Sequence, residues 1–564
     1  MLRGEPYLAE AGRGESAGSL AGTLAASLRA KPEATLRTLR GRFAAFWVDL
    51  RAMTVGLACD RFGTYSLCYS YRDGRMRIAE RADIVAGPDA QMDPQSIFNY
   101  LHFHCIPSPR TIFCDVFRLE QGSILSGDSR GCRSVFWWKP EFREDTPADF
   151  DGLRDEFRSI IRSSVERAAS GQRTAAYLSG GTDSSTVLGM LRDVTGGAPR
   201  GYSIGFDAQG YDEMEYAKIA ARHFGADHRA YYVTPRDLVD GIPTVACHYD
   251  QPFGNSSALP AYYLAKLAKA DGYERLLAGD GGDELFGGNS RYAKQRVFGW
   301  YDAIPPFVRA SIMEPLLLGS SAARRLPPLR KAASYVEQAR VPMPERLEMY
   351  NLLTQLTLAR VFDPDFLQGV DSHVPVREQR ICWDRALAQS QINRNLAFDW
   401  KFTLADNDLP KVTGTTALAG IEVSFPLLSD ELVDFSLKVP PHYKLRGLKL
   451  RWFFKEALRG FLPDEILTKK KHGFGLPFGH WVMKDADLGA IVDRSLQGMS
   501  GRGIVRPDFL RELRRDLLPQ APGYYGEMIW ILMMLEQWLE GRARSGSAST
   551  SEPAIIPPIR TAAA

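Results

Sequence analysis

Residues 179–185 read Ser-Gly-Gly-Thr-Asp-Ser-Ser, a run of small, hydroxyl-bearing and acidic residues suited to holding phosphate. They follow a short apolar stretch, Ala175-Ala176-Tyr177-Leu178, and precede a helical-looking one, Thr186-Val187-Leu188-Gly189-Met190-Leu191. A strand, a glycine turn and a helix N-terminus in that order bring successive backbone N–H groups and the positive end of the helix dipole onto one anion. Gly180 and Gly181 make the turn, and Ser179, Ser184 and Ser185 add hydroxyl donors. Asp183 is suited to hold magnesium against bound phosphate. No lysine follows the last glycine, so the string is not a Walker A loop. A structural glycine turn with a capped helix is the alternative reading of the same residues.

About one hundred residues later comes Leu277-Ala278-Gly279-Asp280-Gly281-Gly282-Asp283-Glu284-Leu285-Phe286-Gly287-Gly288. A second strand runs here into a glycine turn whose backbone could approach a nucleotide closely. Asp280 and Asp283 could supply a base and a metal ligand. Alone the turn could be structural; paired with residues 179–185 it indicates a nucleotide site.

Both turns need a sheet to carry them. The expected elements are helix 150–169, strand 174–178, the first turn and its helix, strand 201–206, a helix over about 213–224 and strand 229–233. Helix 257–270 and strand 275–278 follow. This alternation predicts a doubly wound parallel sheet with ligands at the carboxyl ends of its strands. Before it, short alternating segments at 43–50, 54–58, 65–71 and 76–79 with turn signals such as Asp73-Gly74 indicate a sheet-rich region. One helix is expected at about 19–29. The proposed divisions are 1–138 for the first domain, 139–149 for a linker and 150–543 for the second domain, with 544–564 as a disordered tail. From about Arg291 to Trp400 the sequence reads as all-helical, with proline breaks at 305–306 and 327–328.

At 564 residues the chain exceeds a single hydrophobic core. A net charge of +3, from 70 basic and 67 acidic residues, gives no reason to propose nucleic acid as a partner. Seven cysteines without a CxxC pair suit reduced thiols. The apolar run Met528 to Leu535 is too short to span a bilayer and no signal peptide is expected, so the reading is a cytoplasmic protein without a membrane partner.

The first turn resembles the pyrophosphate loop (PP-loop) of enzymes that cleave ATP to AMP and pyrophosphate, and the absence of paired cysteines separates it from those that thiolate tRNA. The chain from about 41 to 540 resembles the asparagine synthetase B family, which includes β-lactam synthetases and lasso-peptide cyclases. Besides the two turns, Tyr211-Asp212-Glu213, Gln251-Pro252-Phe253-Gly254, Gly420-Ile421-Glu422, Pro426-Leu427-Leu428 and Lys471-His472-Gly473-Phe474-Gly475-Leu476-Pro477 carry the likeness. It implies an α/β and α+β architecture. A degenerate, β-rich Ntn-hydrolase-like domain of the glutaminase type would precede an adenine-nucleotide α-hydrolase-like (PP-loop) domain with a helical C-terminal part. Asp183 and Asp283 would hold magnesium across the phosphates of ATP. Adenosine would lie against Tyr177, Ile204 and Gly279, Asp280 would stand near the acyl acceptor or incoming amine, and Lys471 would neutralise charge as pyrophosphate leaves. The implied reaction activates a small-molecule carboxylate, aspartate first, as an acyl-adenylate. Ammonia or another amine then displaces AMP, and the amine could come from a separate partner.

Two departures stand out. The family's glutaminase cysteine follows the initiator Met, whereas here Leu2 does, the first cysteine is Cys59 and the first asparagine is Asn99. Yet Gly41-Arg42-Phe43-Ala44, Asp60-Arg61-Phe62-Gly63 and Pro109-Arg110-Thr111-Ile112-Phe113 keep the later half of that domain. The expectation is a shortened domain that has lost its glutaminase; a start assigned too late is the alternative. Second, positions where the family shows an Asp-Arg pair, an Arg and an Asp carry Thr413-Gly414, Ser424 and Ser429. The competing functions are a tailoring ligase or cyclase acting on a peptide, glycan or secondary metabolite, and a catalytically inactive scaffold. A homodimer is a further expectation.

Overall fold

The computed structural model describes residues 1–8, 17–147, 149–208, 210–318, 327–349, 351–469 and 475–545. The helix expected at 150–169 has those bounds, and its cause is visible in the side chains. Asp149 caps it by accepting from Gly152 N–H at 2.8 Å, while Phe157, Ile161 and Val165 bury one face at four-residue spacing. That face meets Phe286, Phe435, Phe453 and Phe454 in an aromatic cluster with Phe157 at its centre.

The second domain is built on a five-stranded parallel sheet in the order Asp227–Val233, Arg200–Phe206, Thr174–Tyr177, Arg275–Leu277, Glu422–Ser424. The chain runs outward one way from Thr174–Tyr177 and then returns to build the other side, so this central strand marks the switch point where such sheets open a crevice. Pairing of Ala176 with Leu277 makes the two glycine turns leave the sheet side by side. The fifth strand, Glu422–Ser424, is short, carries no long apolar run and so shows no strand signal in its residues. The helix Pro235–His248 was also not anticipated; a Thr234/Asp237 capping box starts it. Residues 291–400 contain no strand among the described residues, and Pro306 and Pro327 open helices.

The N-terminal region holds a five-stranded antiparallel sheet and a three-stranded one. Residues 139–147 are tied to the second domain: Phe142 N–H donates to Leu387 O and Arg143 N–H to Leu437 O, and the Glu144 carboxylate accepts from Ser390 and Asn393. Buried charges also cross the interface, with Arg118 on Asp250, Arg61 on Asp430, and Lys401 on Glu120. The apolar run 528–535 lies within the helix Pro522–Ser545 and is buried throughout. Among the described residues no helix is long and apolar enough to cross a membrane. The helix reaches Ser545, past the start of the expected tail; residues 546–564 lie outside the described residues.

Candidate functional site

The first turn is held by its own hydroxyls. Ser179 N–H donates to Ser184 Oγ at 3.1 Å, the two hydroxyls lie 3.0 Å apart, and Gly181 N–H reaches Ser179 Oγ at 3.3 Å. The helix that follows spans Thr182–Thr195, which points its N-terminus at the mouth of the turn. Gly180 has φ +68°, and a Cβ there would collide with the backbone of Tyr216 and Ala217, so the turn packs directly on the helix Met214–Phe224.

The second turn packs against the first. A Cβ on Gly279 would come within 2.8 Å of Ser184 N, and one on Gly282 would collide with Asp183 Oδ1. Gly288 likewise leaves the space that the Asp283 carboxylate fills. Phe286, buried in the aromatic cluster, anchors the short helix Gly282–Phe286 that carries Asp283.

Between the turns lies a cavity of about 350 Å³. It brings together Tyr177, Ser179, Asp183, Ser184, Ile204, Gly279, Asp280 and Asp283, as expected from sequence. Its lining includes the apolar Ile204, Pro260, Ala261 and Leu264 and a charged group of Asp280, Glu284 and Asp408 around Lys411. Apolar side chains, a turn of N–H donors and a group of charges in one lining suit a ligand that has both an apolar and a polar part. Gly180 and Gly181 form the turn behind the lining. Ser185 does not reach the cavity: its hydroxyl is fully buried without a hydrogen-bond partner. Lys471 lies outside the described residues, but both flanks of its segment meet the cavity rim. Lys469 pairs with Glu213 at 3.0 Å and stacks over Tyr216, and Gly475 sits beside the Tyr211 ring. Tyr211 and Glu213 both line the cavity.

Burial and pairing set the character of the charged group. Burial lifts the Asp280 carboxyl to about 6, with Lys411 opposing the shift from 3.9 Å. Lys411 also pairs with Asp408 at 2.8 Å, and these two carboxylates hold its ammonium pKa above the ordinary value against burial. The described lining carries six carboxylates, at 183, 213, 280, 283, 284 and 408, against the single cation of Lys411. A triphosphate entering such a cavity needs countercharge from outside this lining.

Besides Lys411, sequence reasoning missed Arg451. Its Nη1 lies 2.7 Å from both Asp183 Oδ2 and Asp283 Oδ1, and its Nη2 also pairs with Asp183. The two carboxylates expected to hold magnesium thus converge on one point, as a shared metal would require. With only two acidic ligands there, phosphate oxygens would have to complete the shell; the described residues hold no cluster of three or more acidic, His or Cys ligands. Arg451 precedes the helix Trp452–Ala457 in no recognisable motif, so nothing in the sequence marked it.

The uncharged family positions are not on the nucleotide cavity. Thr413 and Gly414 border an interdomain cleft of about 860 Å³, where the Tyr249 ring fills the space a side chain at 414 would need. Ser424 and Ser429 border a neighbouring interdomain cavity of about 460 Å³ with Arg42, Asp60 and Arg61. Cys59 is no exposed nucleophile: its thiol is buried, donates to Glu120 O at 2.9 Å and is pushed up by burial.

Comparison with known proteins gives two family matches, asparagine synthase over residues 156–540 and glutamine amidotransferase domain over residues 8–138. Among curated relatives, asparagine synthetase [glutamine-hydrolyzing] 1 of Bacillus subtilis is 25% identical over 524 residues, 91% of this chain and 80% of that protein. A putative asparagine synthetase [glutamine-hydrolyzing] of Mycobacterium bovis is 26% identical over 470 residues, 79% of this chain and 68% of that one. The amidase chry2 of Gibberella zeae is 22% identical over 493 residues, covering 78% and 70%.

Proposed function

The chain belongs to the asparagine synthase family, and from that premise we propose that it is an ATP-dependent amide-forming ligase that activates a carboxylate, aspartate first, as its acyl-adenylate. The observation that carries this reading is the adjacency of the two glycine turns at the switch point of the sheet, with the Asp183 and Asp283 carboxylates converging on one point.

In the first step a carboxylate oxygen attacks the α-phosphorus of ATP and the bond to the β-phosphate breaks, releasing pyrophosphate. The N–H groups and hydroxyls of 179–184 are placed to receive the departing anion. Asp183 and Asp283 fit a divalent ion shared with the phosphates, which would offset charge on the leaving group. Lys471 would supply a second cation from the segment whose flanks meet the rim. In the second step an amine nitrogen attacks the acyl carbon, the bond to AMP breaks, and Asp280 would take the proton that the new amide loses. A carboxyl near 6 can accept a proton at neutral pH and is a better base than an ordinary aspartate.

We read the amine as ammonia or another amine and the first domain as having lost its glutaminase; Cys59, buried and bonded, offers no nucleophile there. The test is ATP–pyrophosphate exchange with the full chain over aspartate and other carboxylates, with ammonia or glutamine in the amide-forming assay. Exchange with aspartate that Asp183→Ala abolishes supports the reading, and amide formation with ammonia alone supports the amine assignment. Exchange only with a different carboxylate would make the protein a tailoring ligase. No exchange with any carboxylate overturns adenylation.

A further inference from the structure

Arg451 has three properties that an ordinary structural ion pair does not combine. It sits in the left-handed region at φ +54°, a conformation that a non-glycine residue adopts only when its surroundings enforce it. It is 5% exposed, with its guanidinium stacked 3.9 Å from the centre of the Phe454 ring. Its two terminal nitrogens donate to Asp183, Asp283 and Thr182 Oγ1, all on or beside the phosphate-binding turns, while its buried Nε has no hydrogen-bond partner among the described residues. The space for this arrangement exists because residues 282 and 288 lack a Cβ.

We propose that Arg451 is a positioning residue that serves as a resident counter-cation for Asp183 and Asp283, so that divalent metal enters this site together with the nucleotide and not before it. The inference rests on the nucleotide reading above. Two facing carboxylates repel one another unless a cation lies between them, and the Arg451 guanidinium fills that role. A metal ion arriving alone would have to displace a buried, bidentate partner in exchange for only two protein carboxylates. A metal ion arriving on a triphosphate brings its own oxygen ligands, and the phosphate oxygens offer the displaced guanidinium new acceptors. Metal and nucleotide binding are therefore coupled through one side chain.

The test is Mn²⁺ binding to the full chain, followed by the paramagnetic signal of free Mn²⁺ with and without a non-hydrolysable ATP analogue, alongside melting temperature in EDTA and in Mg²⁺. The wild type is expected to bind Mn²⁺ only when the analogue is present, and its melting temperature should not respond to Mg²⁺ alone. Arg451→Met is expected to melt lower in EDTA and to recover with Mg²⁺ alone. It should also bind Mn²⁺ without nucleotide about tenfold or more tightly than the wild type, the scale of a coupling through one charge. Arg451→Lys, which keeps one charge, should fall between the two. If Arg451→Met does not fold, the wild-type comparison decides by itself. Wild type that binds Mn²⁺ equally well with and without the analogue overturns the inference and leaves the nucleotide reading standing. Wild type that binds no nucleotide with any metal overturns both.

Discussion

Asp280 shows how a side chain's surroundings set its chemistry. Burial raises its carboxyl to about 6, and Lys411 limits the rise. Below that pH the group is protonated and cannot accept a proton; above it the carboxylate is free to do so. Amide formation should therefore fall as pH drops through about 6, and the bound triphosphate's negative charge should move this limb higher still. Asp280→Asn should lower the rate by about 10²–10⁴-fold and remove that acid limb, as measured by the pH profile of amide formation. Lys411→Met should act in the opposite sense on the same group, moving the limb to higher pH by taking away the only cation in the described lining. The sequence displayed Asp183, Asp280 and Asp283, because acidic residues inside glycine turns are rare enough to be noticed. It concealed Lys411, within the helix Leu409–Ala419, and Arg451, just before the helix Trp452–Ala457; both stand far along the chain and reach the site only through folding.

At the scale of the element, the two turns behave as one unit. Gly180 is locked by its positive φ and by the backbone of Tyr216 and Ala217. Gly180→Ala should therefore cost about 1–3 kcal/mol of stability from strain at that position and should weaken ATP binding more than pyrophosphate exchange at saturating ATP. Chemical denaturation and nucleotide titration would check both parts. A variant with unchanged stability would show that the turn yields without strain. The strands and helices around the turns were readable because their apolar spacing was regular, as in Phe157, Ile161 and Val165. The strand Glu422–Ser424 was not readable. Three residues are too few for a period, and it becomes a strand only by pairing with Arg275–Leu277.

Across the whole molecule, charge joins the two domains. Lys401 is 7% exposed at its side chain, donates to Ser108 O at 2.6 Å, and pairs with Glu120 at 3.1 Å and Asp406 at 3.3 Å. Glu120 belongs to the first domain, and Lys401 and Asp406 lie in the helical segment Trp400–Asp408 that ends on the cavity residue Asp408. Lys401→Met would take the cation from the buried Asp406 and leave Glu120 with Arg385 alone, at a cost of about 3–5 kcal/mol. Urea unfolding of the variant should show that loss, and its amide-forming rate should fall because Asp408 and Lys411 share the same helical run. Unaltered activity in a folded variant would show that the first domain does not steady the nucleotide site through this contact.

Local order and residue type determined part of this protein. Glycine turns after apolar strands specify backbone donors, acidic residues in them specify ion chemistry, and alternating periods specify a parallel sheet; each depends on neighbours within a few residues. Tertiary structure alone decided the rest. It brought Arg451 onto Asp183 and Asp283, buried Ser185 away from the cavity, and placed Thr413, Gly414, Ser424 and Ser429 on interdomain space. These outcomes turn on distances between side chains hundreds of residues apart, set by packing and desolvation that no short stretch of sequence encodes.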